Sequence, residues 1–436
     1  MKRFGSKISS FALINSTLST FLVGITLRIA LALYTSDVGD VQVFYIAIIN
    51  MMNGIGIYST FYFTYPPLFP IILFPFFKIF LFFNQFSSLA ILQTMDPYSP
   101  LLITSPLFNI LLKIPIFVFD TLIGFIIYKF LYINVNKDIA SKAFKLWYLN
   151  PLLIYCGTVN GQFDVIPTFF LFLAFILLYY KRYALAGVNI GFGFAGKLFP
   201  LYFLPLYIIV IIKNEQRKIY SMIKFFLGLF SSIGLMFLPF FLTGTWQDLL
   251  VSIFERTEYI SSLGGLNFFN IFYIPYFNFI LSLLNESPFT VNLLLNVSEF
   301  ILFLIILLLT FIKDDVCIRN LLQSHIKILL VIYLLTLTTN PQYIIWILPF
   351  LIMWYSFFYD GLLRIFLICI CAIMFNLAWN FPFYPLFYFS KINETFITLM
   401  KYFHHIIFCN TIVIASTGLI STFILISFFF LRGNKN

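Results

Sequence analysis

The chain has 436 residues, 61% hydrophobic and only 10% charged, with a formal net charge of +10 and a mean hydropathy of +1.00. A water-soluble interior of this size cannot hide so much apolar surface, which excludes a soluble globule and leaves a polytopic membrane protein. The positive balance forms no basic stripe that could track nucleic acid, so it is assigned to membrane orientation.

A spanning helix needs about 20 apolar residues to cross roughly 30 Å of hydrocarbon, and such runs recur along the whole chain. The first, ISSFALINSTLSTFLVGITLRIALALYT, follows MKRFGSK. It is longer than the apolar core of a signal peptide and lacks a small-residue cleavage site, so it reads as a retained first span. Most Lys and Arg residues sort onto the side that carries Lys2, Arg3 and Lys7, which the positive-inside rule makes cytosolic. The next basic group starts only at Lys129, so residues 35–112 cross an even number of times or not at all. There, TYPPLFPIILFPFFKIF carries Pro66, Pro67, Pro70 and Pro75, a density that a regular spanning helix accommodates poorly. The reading is a long first outer loop with amphipathic segments along the membrane surface, a hairpin through the bilayer being the alternative.

KIPIFVFDTLIGFIIYKF then runs inward, KLWYLNPLLIYCG outward, VIPTFFLFLAFILLYY inward, YALAGVNIGFGFAG outward and LFPLYFLPLYIIVII inward. Two of these are short and rich in Gly, Pro or Asn, and broken helices of that kind line cavities, because their backbone cannot face lipid. FFLGLFSSIGLMFLPFFLTG leads into a large outer loop, 244–291, and further spans fall near 292–312, 328–339, 342–358, 364–379 and 408–431. The expected fold is a single all-α polytopic domain of about 11–13 transmembrane helices with both ends cytosolic. Cys156, Cys317, Cys369, Cys371 and Cys409 include no CxxC pair and no His at ligand spacing, so they read as small apolar fillers. The adjacent His404 and His405 would point in different directions on a helix and receive no role.

Four polar clusters fall at predicted outer ends of spans. They are Asp37 and Asp40 in TSDVGDVQVFY, Asn160, Gln162 and Asp164 in NGQFD, Lys197 after a flexible Gly-rich segment in GKLFP, and Asn340, Gln342 and Tyr343 in TTNPQY. A carboxylate can act as base, a lysine at the membrane boundary can hold a phosphate, and amides with a tyrosine can orient hydroxyls. Together they suggest a site for a phosphorylated lipid with a polyol head. The plainer reading is that polar residues gather at span ends in any membrane protein. Lys197 lies against the positive-inside trend, which makes it the sharpest candidate; snorkelling to the interface is its alternative. Asp120, seven residues after Lys113, is expected to pair within the bundle.

The ordered series DVQVFY, TYPPLFP, KIPIFVFD, WYLNPLLIYCGTVNGQFD, YKRYALAGVNIGFGFAGKLFPLYFLPL and NPQYIIWILPFL resembles the GT-C superfamily of membrane glycosyltransferases. Its closest likeness is to the catalytic subunit of GPI mannosyltransferase I and its prokaryotic relatives. The resemblance covers residues 30–212 and 325–380. It implies a GT-C-like bundle that moves a hexose, mannose on this likeness, from a polyprenyl (dolichyl) phosphate carrier to a glycan or glycolipid acceptor at the outer or luminal face. It implies Asp40 as catalytic base with Asp37 as its neighbour, Lys197 as the lysine after the Gly-rich segment, and Gln342 with Tyr343 as a Ser-Gln-Tyr equivalent in which Pro replaces Ser. Eukaryotic members carry the acid pair as DxD, whereas this chain reads DVGD, which leaves open which acid serves and whether a divalent metal takes part. No resident cofactor is expected. Thr64 stands where the glucosyltransferase branch has an acid, which favours the mannosyl side.

Lys197, aided by Arg256 or Lys113, would then stabilise the phosphate leaving group, with Gln162 and Asp164 completing the donor site. A single base without a covalent nucleophile gives one displacement, hence inversion at the anomeric carbon. Arg256 lies in FERTEYISSLGGLNFFN, where Gly264 and Gly265 suggest a segment over the site. The expected setting is an endoplasmic reticulum or archaeal cell membrane, with membrane lipids as neighbours and a small membrane partner subunit compatible with the resemblance. Two other classes compete. A transporter or lipid flippase should show pseudo-repeated halves, which are not visible here, and a noncatalytic assembly subunit would not need Asp40.

Overall fold

The computed structural model describes residues 2–58, 63–84, 91–92, 102–103, 105–258, 297, 300–302, 304–308, 317–335, 339–379 and 411–430. The described part is almost wholly helical, as a chain that must satisfy its backbone inside lipid requires; the exception is a two-residue antiparallel ladder, β1 (Ile91–Leu92) with β2 (Leu102–Ile103). The protein is an all-α polytopic membrane protein. Its first half runs α1 (Lys2–Ala32), α2 (Val38–Met52), α3 (Leu68–Asn84), α4 (Pro106–Asn134), α5 (Lys137–Tyr148), the single turn α6 (Pro151–Leu153), a π-helix over Ile154–Asn160, α7 (Val165–Tyr179) and α8 (Tyr183–Gly196). It continues with α9 (Leu204–Asn214), α10 (Lys218–Leu242), α11 (Trp246–Glu258), α12 (Ile318–Leu335), α13 (Ile344–Phe358), α14 (Leu362–Trp379) and α15 (Thr411–Ser427).

Among the described residues, three stretches are long and apolar enough to cross a membrane alone: α4, α10, and α13 with the turn before it. Their burial separates them. The stretch ending in α13 is 78% buried and α10 only 28%, so the first is central and the second faces lipid. On α10, Ile219, Ile223, Leu227 and Phe230 are exposed at helical spacing, while Ser221, Phe225, Gly228 and Ser232 are buried on the other side. The aromatic core lies between α7, α12 and α13, where Phe172 and Phe175 both meet the edge of Phe350. His325 is fully buried there, its Nδ1 2.8 Å from the Leu321 carbonyl and its Nε2 3.2 Å from the Tyr207 hydroxyl.

The stretch 35–112, expected as an outer loop with amphipathic segments along the membrane surface, holds α2, α3 and the start of α4 among its described residues. Pro66 and Pro67 precede α3 and Pro70 falls in its first turn, where a missing N–H costs nothing; only Pro75 is interior. Phe44, Ala47 and Ile48 of α2 and Phe69, Leu73 and Phe80 of α3 are buried in the common core, so both helices pack into the bundle. KLWYLNPLLIYCG is not one helix either. α5 ends at Tyr148, Asn150 caps α6 by accepting from the Leu152 N–H at 2.9 Å, and the π-helix follows. Asp120 pairs inside the bundle as expected: Arg28 Nη2 lies 2.6 Å from its Oδ2, with the guanidinium 4.2 Å from the centre of the Tyr148 ring.

The Gly-rich segment before Lys197 is a packing surface rather than a flexible link. A Cβ on Gly187 would lie 2.0 Å from the Phe225 carbonyl oxygen, and one on Gly191 would lie 2.0 Å from Ser232 Oγ. Gly228 on α10 makes the reciprocal approach to the Ala184 carbonyl at 2.0 Å. Small residues four apart let two membrane helices meet at backbone contact, which substitutes for the hydrophobic drive that lipid removes. Gly187→Leu is therefore expected to separate α8 from α10 and abolish the monodisperse peak in detergent size-exclusion chromatography, whereas Gly234→Ala, with open space around it, should leave the peak intact.

Candidate functional site

The two charged residues nearest the centre of the site are brought together by a helical hairpin. α7 and α8 have 15 and 14 residues, or about 22 and 21 Å at 1.5 Å per residue. They are joined by a tight turn in which Lys181 takes a positive φ of 59°. Asp164, at the start of α7, and Lys197, just past the end of α8, therefore return to the same level. Lys197 Nζ lies 2.6 Å from Asp164 Oδ1, with the aspartate side chain fully buried and the lysine nearly so. A second donor, Trp346 Nε1, reaches the same oxygen at 2.7 Å. Asp164 Oδ2 is buried without a hydrogen-bond partner among the described residues.

Rings surround the ammonium. The centroids of Phe163, Tyr343, Tyr65 and Trp346 lie 5.1 to 5.5 Å from Lys197 Nζ, within cation–π range. Trp346 is clamped between Phe199 and Tyr343, with centroid distances of 4.0 and 4.1 Å. Phe163 stacks on Phe69 at 4.4 Å and meets Phe44 and Tyr65 edge-on. One aromatic side chain thus pins the loop that carries Asp164 to both α2 and α3.

The same loop reaches the acid pair. Gly161 has a φ of 81°, a left-handed conformation that a side chain would strain, and it turns the chain out of the π-helix toward Gln162. The Gln162 amide donates to Asp40 Oδ2. The Asp37 N–H donates to the Asn160 carbonyl at 3.0 Å, and the Asp37 carbonyl accepts from Val41 as α2 begins. Asp40 sits in the first turn of α2, where a carboxylate is also favoured by the helix dipole. Across the site, the Tyr155 hydroxyl donates to Asn376 Oδ1 at 2.7 Å and Asn160 Nδ2 approaches the same oxygen at 3.5 Å, which ties the π-helix to α14.

Four segments far apart in sequence are thereby joined: the start of α2, residues 160–164, the end of α8, and the turn before α13. Gln342 is buried in that turn, Pro341–Tyr343, and Tyr343 offers its ring to Lys197. Lys113 is placed differently from a phosphate ligand. It is fully buried, and its Nζ donates to the carbonyls of Ala32, Val159 and Thr35, with Thr35 Oγ1 at 3.4 Å. The ammonium is used to cap the end of α1 and hold the segment leading to Asp37, and no carboxylate lies within ion-pair distance of it among the described residues. Arg256 falls near the end of α11, and its side chain, like Gly264 and Gly265, is outside the described residues. Among the described residues no group of three or more His, Cys, Asp or Glu gathers as metal ligands would.

Sequence reasoning missed Tyr65, Phe163, Phe199 and Trp346. The signal for one was present: Trp346 follows Tyr343 by three residues at the start of a helix, which puts both rings on one face.

Residues 118–313 match the family model of glycosyltransferase family 87. The match spans a little under half of the chain and, with the apolar all-helical fold, supports a membrane glycosyltransferase. It contains Gln162, Asp164, Lys197 and Arg256, while Asp37, Asp40, Lys113, Gln342 and Tyr343 lie outside it. No curated protein matches the chain.

Proposed function

We propose that the protein transfers a hexose from a polyprenyl phosphate carrier to a hydroxyl of a lipid-linked or glycan acceptor, with inversion, at the face that carries Asp40 and Lys197. One observation supports this reading above the rest. Three consecutive residues, Gln162 to Asp164, hold a carboxylate at one end and an ammonium at the other, which sets a proton acceptor beside an anion-binding group.

In this reading the acceptor oxygen attacks the anomeric carbon, the bond from that carbon to the phosphate oxygen breaks, and the acceptor proton passes to Asp40. Polyprenyl phosphate leaves with the electron pair, and Lys197 steadies its charge. Only one of the three Lys197 donors is used by Asp164, and no other hydrogen bond to its Nζ is present among the described residues, so two remain for phosphate oxygens. Gln162 orients the base. Tyr65, Tyr343 and Trp346 offer aromatic faces to a sugar ring, and the orphaned Asp164 Oδ2 accepts from a sugar hydroxyl. Mannose as the donor sugar and a GPI-type glycolipid as acceptor rest on the sequence resemblance.

The test is transfer of label from a panel of radiolabelled polyprenyl phosphate sugars to a membrane lipid extract by the purified, reconstituted protein. Transfer from the mannosyl donor alone supports the full proposal, and transfer from glucosyl alone corrects the sugar. Absence of transfer from every lipid phosphate donor, together with transfer from a nucleotide sugar, overturns it.

A further inference from the structure

The end of the molecule remote from Asp40 and Lys197 carries a second concave surface. The turn between α7 and α8 and the turn between α9 and α10 enclose a cavity of about 790 Å³. Its lining includes four cations, Lys181, Arg182, Arg217 and Lys224, against one acid, Glu215. That acid is already engaged, by Lys181 at 3.3 Å and by the Tyr183 hydroxyl at 2.9 Å. Among the described residues no carboxylate lies within ion-pair distance of Arg182, Arg217 or Lys224.

Two further features face the same space. α8 starts after Arg182 and α10 after Arg217, and neither N-terminus is capped by a side chain, so first-turn N–H groups of two helices are left for another acceptor. Ser221, 6% exposed, also lines the cavity and carries a hydroxyl that can donate there. Cations, helix N-termini and that hydroxyl all call for oxygen atoms with negative charge.

The surroundings choose between a free anion and a lipid. The apolar stripe of α10 begins at Ile219, next in the chain to Tyr220 of the cavity lining: Ile219 is 76% exposed and Leu227 66%, and Leu185, which lines the cavity itself, is exposed as well. An inorganic anion would use the cations and leave the stripe untouched. A phospholipid would use both, its phosphate among the arginines and its acyl chains along α10.

We infer that this cavity binds the headgroup of an anionic phospholipid at the membrane face opposite the transfer site. The test uses the full-length protein in detergent and native mass spectrometry with phosphatidylglycerol or phosphatidylcholine of matched chains. Wild type should retain phosphatidylglycerol in preference. The triple variant R182Q/R217Q/K224Q, all exposed positions, should keep the wild-type melting temperature in phosphatidylcholine and bind phosphatidylglycerol at least about tenfold more weakly. A control triple, K137Q/K142Q/K145Q, alters other cations and should retain the lipid. Equal loss in the control, equal retention of phosphatidylcholine by wild type, or unchanged phosphatidylglycerol binding in the first triple would each overturn the assignment. Complete displacement of the lipid by glycerol 3-phosphate would also do so, by showing a site for a free anion.

Discussion

Asp40→Asn is expected to lower the transfer rate by about 10²- to 10⁴-fold, the range lost when a positioned general base is removed. The substitution keeps the side-chain shape and can still meet the Gln162 amide, so the fold and the donor KM should change little. Asp37→Asn should cost far less. Its backbone bonds to Asn160 and Val41 stay in place in the variant, and the Gln162 amide is directed at Asp40 rather than at Asp37. Gln162→Ala should fall between them, because it removes one hydrogen bond that orients the Asp40 carboxylate without removing the carboxylate. The three rates, read in one reconstituted system with labelled donor, order the roles. If Asp37→Asn is the inactive variant and Asp40→Asn is not, the base has been assigned to the wrong acid. If all three transfer at the wild-type rate, no base resides at the start of α2.

The all-helical apolar fold was open to sequence reading because composition alone fixes it: a chain this apolar has to satisfy its backbone internally. The pairing of Asp120 was readable for the same reason, since a carboxylate at that depth needs a cation, and Arg28 was the one supplied. Long-range contacts that depend on shape were harder. YALAGVNIGFGFAG reads as flexible because glycine is permissive in isolation, yet four-residue spacing of Gly187 and Gly191 lets α8 and α10 touch through their backbones. TYPPLFP reads as a helix breaker, yet its prolines cluster at a helix start, where they do no harm.

The polar clusters could be placed on one side of the membrane from charge sorting, but their partners could not be read. Lys113 and Lys197 look alike in sequence, each a lone lysine near a span end. One donates to carbonyls of a helix terminus and the other meets a buried carboxylate. Nothing local distinguishes them, because the deciding partners, Ala32 and Asp164, lie far away along the chain. Aromatic residues were hidden by abundance: with 61 Phe and 26 Tyr, no single ring stands out until the fold gathers four of them round one ammonium.

Lys197→Met should remove transfer and also destabilise the protein, and the two effects can be separated. Taking one partner from a buried ion pair leaves the other charge uncompensated, at a cost of about 3–5 kcal/mol. Among the described residues, the Asp164 carboxylate would retain only the Trp346 N–H. Replacing both partners by apolar residues of similar volume is often neutral, because the desolvation of two ions is no longer required. The double variant Lys197→Met with Asp164→Leu is therefore expected to recover most of the thermal midpoint lost by Lys197→Met, measured in detergent by tryptophan fluorescence. Transfer should remain absent in it, since no ammonium is left for the phosphate. Were the pair only a structural clasp between α7 and α8, the double variant would regain transfer together with stability. Trp346→Phe supplies the intermediate case: it keeps a ring between Phe199 and Tyr343 but removes one donor from Asp164, so the carboxylate would draw harder on Lys197. A lysine held more tightly by its aspartate has less to give a phosphate, and the expected signature is a raised donor KM with kcat less affected.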